Sequence, residues 1–77
     1  MCREVVEYIV KSLVERPEQI EVREIEGDKS TILELHVPKE EMGKVIGKHG
    51  RIARAIRTVM TAASVKSGKR YVLEILD

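Results

Sequence analysis

Val45-Ile46-Gly47-Lys48-His49-Gly50-Arg51-Ile52, residues 45–52, is the stretch that decides the reading of this chain. It is a G-x-x-G whose two central residues are cationic or ionisable. An apolar helical pattern precedes it and a second helical pattern follows. Glycines let a backbone turn sharply and approach a ligand closely, because no Cβ stands in the way. The second helix then aims free N–H groups and the positive end of its dipole at whatever lies over the loop. Lys48 and Arg51 add full charges at the same place. This chemistry suits a phosphate, and in a small domain the phosphate expected is that of a nucleic-acid backbone.

Working outward, residues 51 to about 64 read as a helix. Ile52, Ile56, Val59 and Ala63 form one stripe, with Arg51, Arg54 and Thr58 on another side. Upstream, Pro38 opens a short helix over about 39–46, with Met42, Val45 and Ile46 apolar. Glu40 and Glu41 complement its positive end. Gly43 inside that helix costs roughly 1 kcal/mol relative to alanine, and close packing against another backbone would account for it. Thr31 to Val37 alternates as a strand, with Leu33, Leu35 and Val37 on one face and Glu34 and His36 on the other. Ile20 to Glu26 alternates imperfectly, because Ile25 is out of phase, and reads as an edge strand with a bulge. Gly27-Asp28-Lys29-Ser30 supplies the turn of a hairpin. Residues 3–15 form an amphipathic helix ended by Pro17. Tyr71 to Leu76 is the last strand, after a loop at Lys66-Ser67-Gly68-Lys69.

The order is helix, strand, strand, helix, G-x-x-G, helix, strand. A strand–helix–helix–strand connection within one sheet leaves its two strands parallel. The expected architecture is α+β: a three-stranded mixed sheet with three helices on one face, one domain over residues 1–77.

Composition bounds the function. The chain is 43% hydrophobic and 35% charged, and no apolar run approaches the ~20 residues a membrane helix needs. A cytoplasmic location away from membranes is expected. Net charge is only +1, but it is polarised. Residues 1–38 carry nine acidic against five basic side chains, whereas residues 39–70 carry nine basic against two acidic. The positive charge is concentrated around the G-x-x-G. Cys2 reads as a free thiol near a frayed terminus, and nothing suggests a metal set or a cofactor. Gly43-x-x-x-Gly47-Lys48 is one residue short of a nucleotide-binding phosphate loop. His49 replaces its magnesium-holding Ser or Thr, and a helix rather than a strand precedes it. Histidines, cysteine and carboxylates form no catalytic spacing, so an enzyme is not expected.

The residues from Gly43 to Arg57, with V-I-G-x-x-G at Val45 to Gly50, resemble a K-homology (KH) RNA-binding domain. The resemblance is to the type II form, α-β-β-α-α-β, and within it to the small bacterial KhpA family. One departure is Ala53, where many KH domains place a bulky aliphatic residue; here that residue is Ile52. The resemblance implies that Gly47, Lys48, His49 and Gly50 clamp a single-stranded RNA backbone. It places Lys44, Val45, Ile46, Arg51, Ile52 and Arg54 along one wall of a groove for about four nucleotides. The sheet and a variable loop, taken as Gly27 to Ser30 beside strand 20–26, would form the other wall. It also implies a homodimer or a heterodimer with a larger KhpB-like KH protein, and roles in RNA chaperoning, post-transcriptional control and cell-shape or envelope regulation. Ile52 is open between core, groove lining and partner contact, and His49 between donor to RNA and plain exposed loop residue. With only Tyr8 and Tyr71 as aromatics, base stacking is not expected to dominate, and base preference should be weak. The alternative is a protein-interaction module with vestigial RNA binding.

Overall fold

The computed structural model describes residues 2–77. Helix α1 (Cys2–Leu13) leads to strand β1 (Glu21–Glu26), strand β2 (Ser30–His36), helix α2 (Met42–Ile46), helix α3 (Arg51–Ser67) and strand β3 (Arg70–Leu76). The sheet order is β1-β2-β3, antiparallel between β1 and β2 and parallel between β2 and β3. The mixed sheet and the three helices covering one face are as the element order implied.

The core follows the strand period. Leu33, Leu35 and Val37 are buried on the helix side and meet Val6 and Val10 of α1, Val45 of α2, and Ile56 and Met60 of α3. Glu34 and His36 lie on the uncovered side, in register with Glu74 and Leu76 of β3. Cys2 is part of this core at 6% exposure, not a thiol on a frayed end. Burial pushes its pKa up, which keeps it protonated.

The bulge expected in β1 does not exist. Six consecutive residues, Glu21 to Glu26, pair without interruption with His36 to Thr31. Ile25 is out of phase because it faces the uncovered side of the sheet opposite Ile32, not because a residue has been inserted. β1 is an edge strand, as expected.

α1 stops at Leu13, earlier than its periodicity suggests, for a reason 26 residues downstream. The backbone N–H groups of Glu15 and Arg16 donate to the two carboxylate oxygens of Glu41, at 2.8 and 2.9 Å. They are therefore lost to the helix ladder. Glu41 is buried, and these two donors, with Lys44 Nζ at 3.4 Å, satisfy it. The same bonds hold its carboxyl below the usual carboxylate range, the Glu15 N–H contributing most. Pro38 precedes a 3₁₀ turn (Lys39–Glu41) that feeds α2. Gly43 is not explained by close packing, since a Cβ there would meet nothing within 4 Å. α3 runs three residues past the expected end and closes on Gly68, in the left-handed conformation at φ 78° with its N–H donating to Ser64 O.

Candidate nucleic-acid interface

The G-x-x-G loop is built from backbone conformations that few residues adopt. Gly47 sits at φ 79°, ψ 170°, a region essentially reserved for glycine. A Cβ at Gly47 would also lie 2.7 Å from Cγ1 and 2.9 Å from Cδ1 of Ile52. His49 and Gly50 are both left-handed, at φ 60° and 72°. The Gly47 N–H donates back to Gly43 O, ending α2, and the Gly50 N–H donates to Gly47 O, tightening the turn. The Arg54 guanidinium donates to His49 O at 3.3 Å and ties the loop tip to the first turns of α3. α3 itself starts with no side-chain cap.

This geometry sorts the candidate residues. Lys48, His49 and Arg51 are exposed at the loop, and among the described residues Lys48 and Arg51 make no ion pair. Ile46, Gly50 and Arg54 line the adjoining groove. Val45 does not: it is fully buried in the core. Lys44 is turned elsewhere, with its ammonium 3.1 Å from Glu15 Oε1 and 3.4 Å from Glu41 Oε1. The Glu15 carboxylate is the main cause holding the Lys44 pKa above its ordinary value. Ile52 is half-buried, packed against the core and filling the space beneath Gly47. Ala53, where a bulky residue would be common, is buried.

The opposite wall is β3, not β1. A cavity of about 520 Å³ runs between Gly50, Ala53, Arg54 and Arg57 on one side and Leu73 to Leu76 on the other. A second of about 340 Å³ continues it along Arg57, Thr61 and Ser64 against Arg70 to Leu73. Ser30 pairs with Arg70 and His36 with Leu76, so the turn at Gly27 to Ser30 lies at the end of the sheet away from the G-x-x-G. It also lies on the β1 side, so it is not a groove wall. The connection that reaches the far end is 68–69, between α3 and β3. There the Tyr71 N–H donates to Ser64 Oγ at 3.1 Å. Since Leu76 O accepts from Val37 N on the β2 side, strand alternation turns the backbone groups of Leu73 and Ile75 outward to the groove.

Arg57, which the sequence reading does not name as a site residue, lines both cavities. Its signal was present: Arg51, Arg54 and Arg57 recur at i, i+3, a ridge along one side of a helix. Among the described residues no group of three or more His, Cys, Asp or Glu could hold a metal, and no helix is long and apolar enough to cross a membrane.

Residues 3–75 match the family model described as KhpA/KhpB, KH domain. The chain belongs to that family. It is 58% identical over 74 residues to the RNA-binding protein KhpA of Clostridium perfringens, covering 96% of this chain and 99% of that one. It is 53% identical over 75 residues to the RNA-binding protein KhpA of Aquifex aeolicus, covering 97% and 95%. Among solved structures it is similar to Aquifex aeolicus Era bound to GDP·AlF4−, with a TM-score of 0.62 and 23% identity. It is similar also to Era in complex with MgGDPNP and nucleotides 1506–1542 of 16S ribosomal RNA, with a TM-score of 0.63 and 23% identity. Each likeness covers 97% of this chain but 29% of the Era chain, so it speaks to the KH fold alone.

Proposed function

We propose that this family member binds single-stranded RNA without catalysis, using Gly47 to Gly50 as a backbone clamp and the α3–β3 groove to receive the bases. The observation that carries the reading is a pair of cations, Lys48 and Arg51, that make no ion pair among the described residues and stand on a glycine-turned loop at the mouth of an open groove. Curated relatives named as RNA-binding proteins support the same reading. The resemblance to the KhpA family extends it to RNA chaperoning and post-transcriptional control in the cytoplasm, bearing on cell shape and envelope.

The assembly expected from the family is a homodimer or a heterodimer with a KhpB-like protein. Supporting it is an apolar depression between α1 and α3, lined by Cys2, Val5, Val59, Ala63 and Tyr71. Val5 and Val59 are each 42% exposed there. A small domain with a modest core gains stability by covering such a surface, and two clamps held together raise avidity for longer RNA.

The test is filter binding of single-stranded RNA by the wild type and by the double variant Lys48→Asp/His49→Asp, each checked by circular dichroism. Both positions are exposed, and aspartate tolerates the left-handed conformation of His49. The variant should stay folded and lose binding. For the wild type, neutralising about 2–4 phosphates gives a slope of log K against log salt of roughly −1.4 to −2.8. Unchanged affinity in the folded double variant removes the loop from the binding site.

A further inference from the structure

β3 is an outer strand of the sheet, and its free edge forms one side of the groove. The backbone groups of Leu73 and Ile75 point out of that edge, and among the described residues nothing pairs with them. Free edges are commonly guarded by prolines, bulges or charges. β1, the other edge, carries Glu21, Arg23, Glu24 and Glu26 among its six residues. β3 has no such guard toward the groove. It pairs with β2 without interruption from Arg70 to Leu76. Its two charges, Arg70 and Glu74, share the face of Glu34, away from the helices.

Beyond this edge lies open space. The cavities of about 520 and 340 Å³ follow the strand from Leu76 back to Arg70, and Arg54, Arg57 and Thr61 of α3 bound them. A strand added to a sheet lies about 4.8 Å from its neighbour, so the groove is where a fourth strand would run. Every second side chain of such a strand turns toward the helix side. α3 carries no carboxylate, and what it offers there is Arg54 and Arg57. Alternate residues of a strand stand about 7 Å apart, and residues three apart on a helix about 5–6 Å apart at Cβ. Two carboxylates at alternate positions therefore match the two guanidiniums. Arg57 makes no ion pair or side-chain hydrogen bond among the described residues, and Arg54 keeps donors beyond its bond to His49 O.

We propose that the outer edge of β3 takes an acidic, extended segment of a partner protein as a fourth strand. Its backbone pairs with Leu73 and Ile75, and its alternate carboxylates meet Arg54 and Arg57. Main-chain pairing of this kind supplies affinity, and the alternate side chains supply specificity. The segment fills the space that would receive the bases, so peptide and RNA exclude each other. That exclusion rests on the RNA reading; the peptide site does not, since it needs neither Lys48 nor His49.

The experiment uses a labelled eight-residue peptide alternating glutamate with threonine, and its counterpart with lysine in place of glutamate, read by fluorescence anisotropy. The acidic peptide should bind roughly tenfold tighter than the lysine one, in keeping with two partly exposed ion pairs, and should displace single-stranded RNA. Arg57→Gln should reduce that preference. In the peptide-saturated protein the Leu73 and Ile75 amides should gain protection from deuterium exchange, read by nuclear magnetic resonance. N-methylation of the glutamates alone, or of the threonines alone, should abolish binding in one case and spare it in the other. Only one set of N–H groups faces β3, and a one-residue slip would turn the carboxylates away from α3. Lys48→Asp/His49→Asp should lose RNA and keep the peptide. Equal binding of both peptides, no protection at Leu73 and Ile75, or equal effects of the two methylations overturns the edge site. Peptide and RNA bound together overturn the exclusion. A wild type that binds the peptide but no RNA overturns the RNA reading and leaves the peptide site standing; the converse overturns the peptide site alone.

Discussion

Replacing Gly47 with alanine should cost far more than the same change at the other glycines of this region, for two separable reasons. The first is the backbone. At φ 79°, ψ 170°, a residue with a Cβ carries strain of order 1–3 kcal/mol. The second is space. The new methyl group would sit 2.7 and 2.9 Å from Ile52 Cγ1 and Cδ1, where real carbon atoms do not approach. Ile52 cannot step aside cheaply, because a β-branched side chain on a helix has essentially one χ1 rotamer and this one packs against the core. Overpacking of this kind costs about 1–3 kcal/mol. A combined loss near ~3 kcal/mol lowers the melting temperature of a domain this size by ~12–24 °C. Gly50→Ala meets only the left-handed backbone, with open space around it, and should lose about 1–2 kcal/mol. Gly43→Ala, in a helix with nothing within 4 Å of the new Cβ, should gain about 0.5–1 kcal/mol. Thermal unfolding followed by circular dichroism ranks the three. The steric half is isolated by a double-mutant cycle: in an Ile52→Ala background, Gly47→Ala should cost less than in the wild type. A Gly47→Ala variant no less stable than Gly50→Ala, or a cycle with no coupling, refutes the account of why a glycine stands there.

Glu41→Gln should flatten the acid limb of the stability curve. The folded-state pKa of Glu41 lies below its unfolded value, so its contribution is full above the ordinary carboxylate range and is lost as pH falls through the lower folded value. Denaturant midpoints taken across that acid window should fall more steeply for the wild type than for the variant. Val59→Asp should shift the chain toward monomer in sedimentation at micromolar concentration while leaving it folded, because Val59 lies in the α1–α3 depression and is partly exposed. Ile52→Asp, by contrast, should unfold the domain, since that side chain supports the loop from within.

What the sequence made legible were features with a local cause. The helix stripes, the alternation of β2, the turn chemistry of the hairpin and the glycine pair are each written within a few neighbouring residues. What it hid depended on residues far apart in the chain. The end of α1 is set by Glu41, so no inspection of residues 10–16 could place it. Ile25 looked like a register fault because the sequence does not say which side of a strand is covered. The wrong variable loop has the same origin. A turn between strands can serve either edge of a sheet, and only the parallel pairing of Ser30 with Arg70 shows which end it occupies. Lys44 reads as a ligand contact in the sequence because it adjoins the motif. Its partners, Glu15 and Glu41, could not be matched to it without the packing of α2 against the end of α1.

The polarised charge of the chain acquires a sharper meaning once these pairs are known. The acidic N-terminal half consumes some of the basic excess: Glu15 holds Lys44, with Glu41 from the basic segment, and Glu26 holds Lys69 at 3.4 Å. Exposed pairs such as Glu26–Lys69 contribute little to stability, yet they decide which cations remain available to a ligand. Among the described residues, those left without an acidic partner include Lys48 on the loop and Arg51, Arg54 and Arg57 on α3. The three arginines follow one i, i+3 ridge that spans about 9 Å along the helix. Four of these cations therefore lead in a line from the G-x-x-G loop into the groove. A domain with a net charge of +1 can in this way present a directed cationic track that leads into the cavity beside β3. Bulk charge would have predicted a weak and general attraction for polyanions. The placement of the unpaired charges predicts a strand held along one line, with its bases turned toward β3.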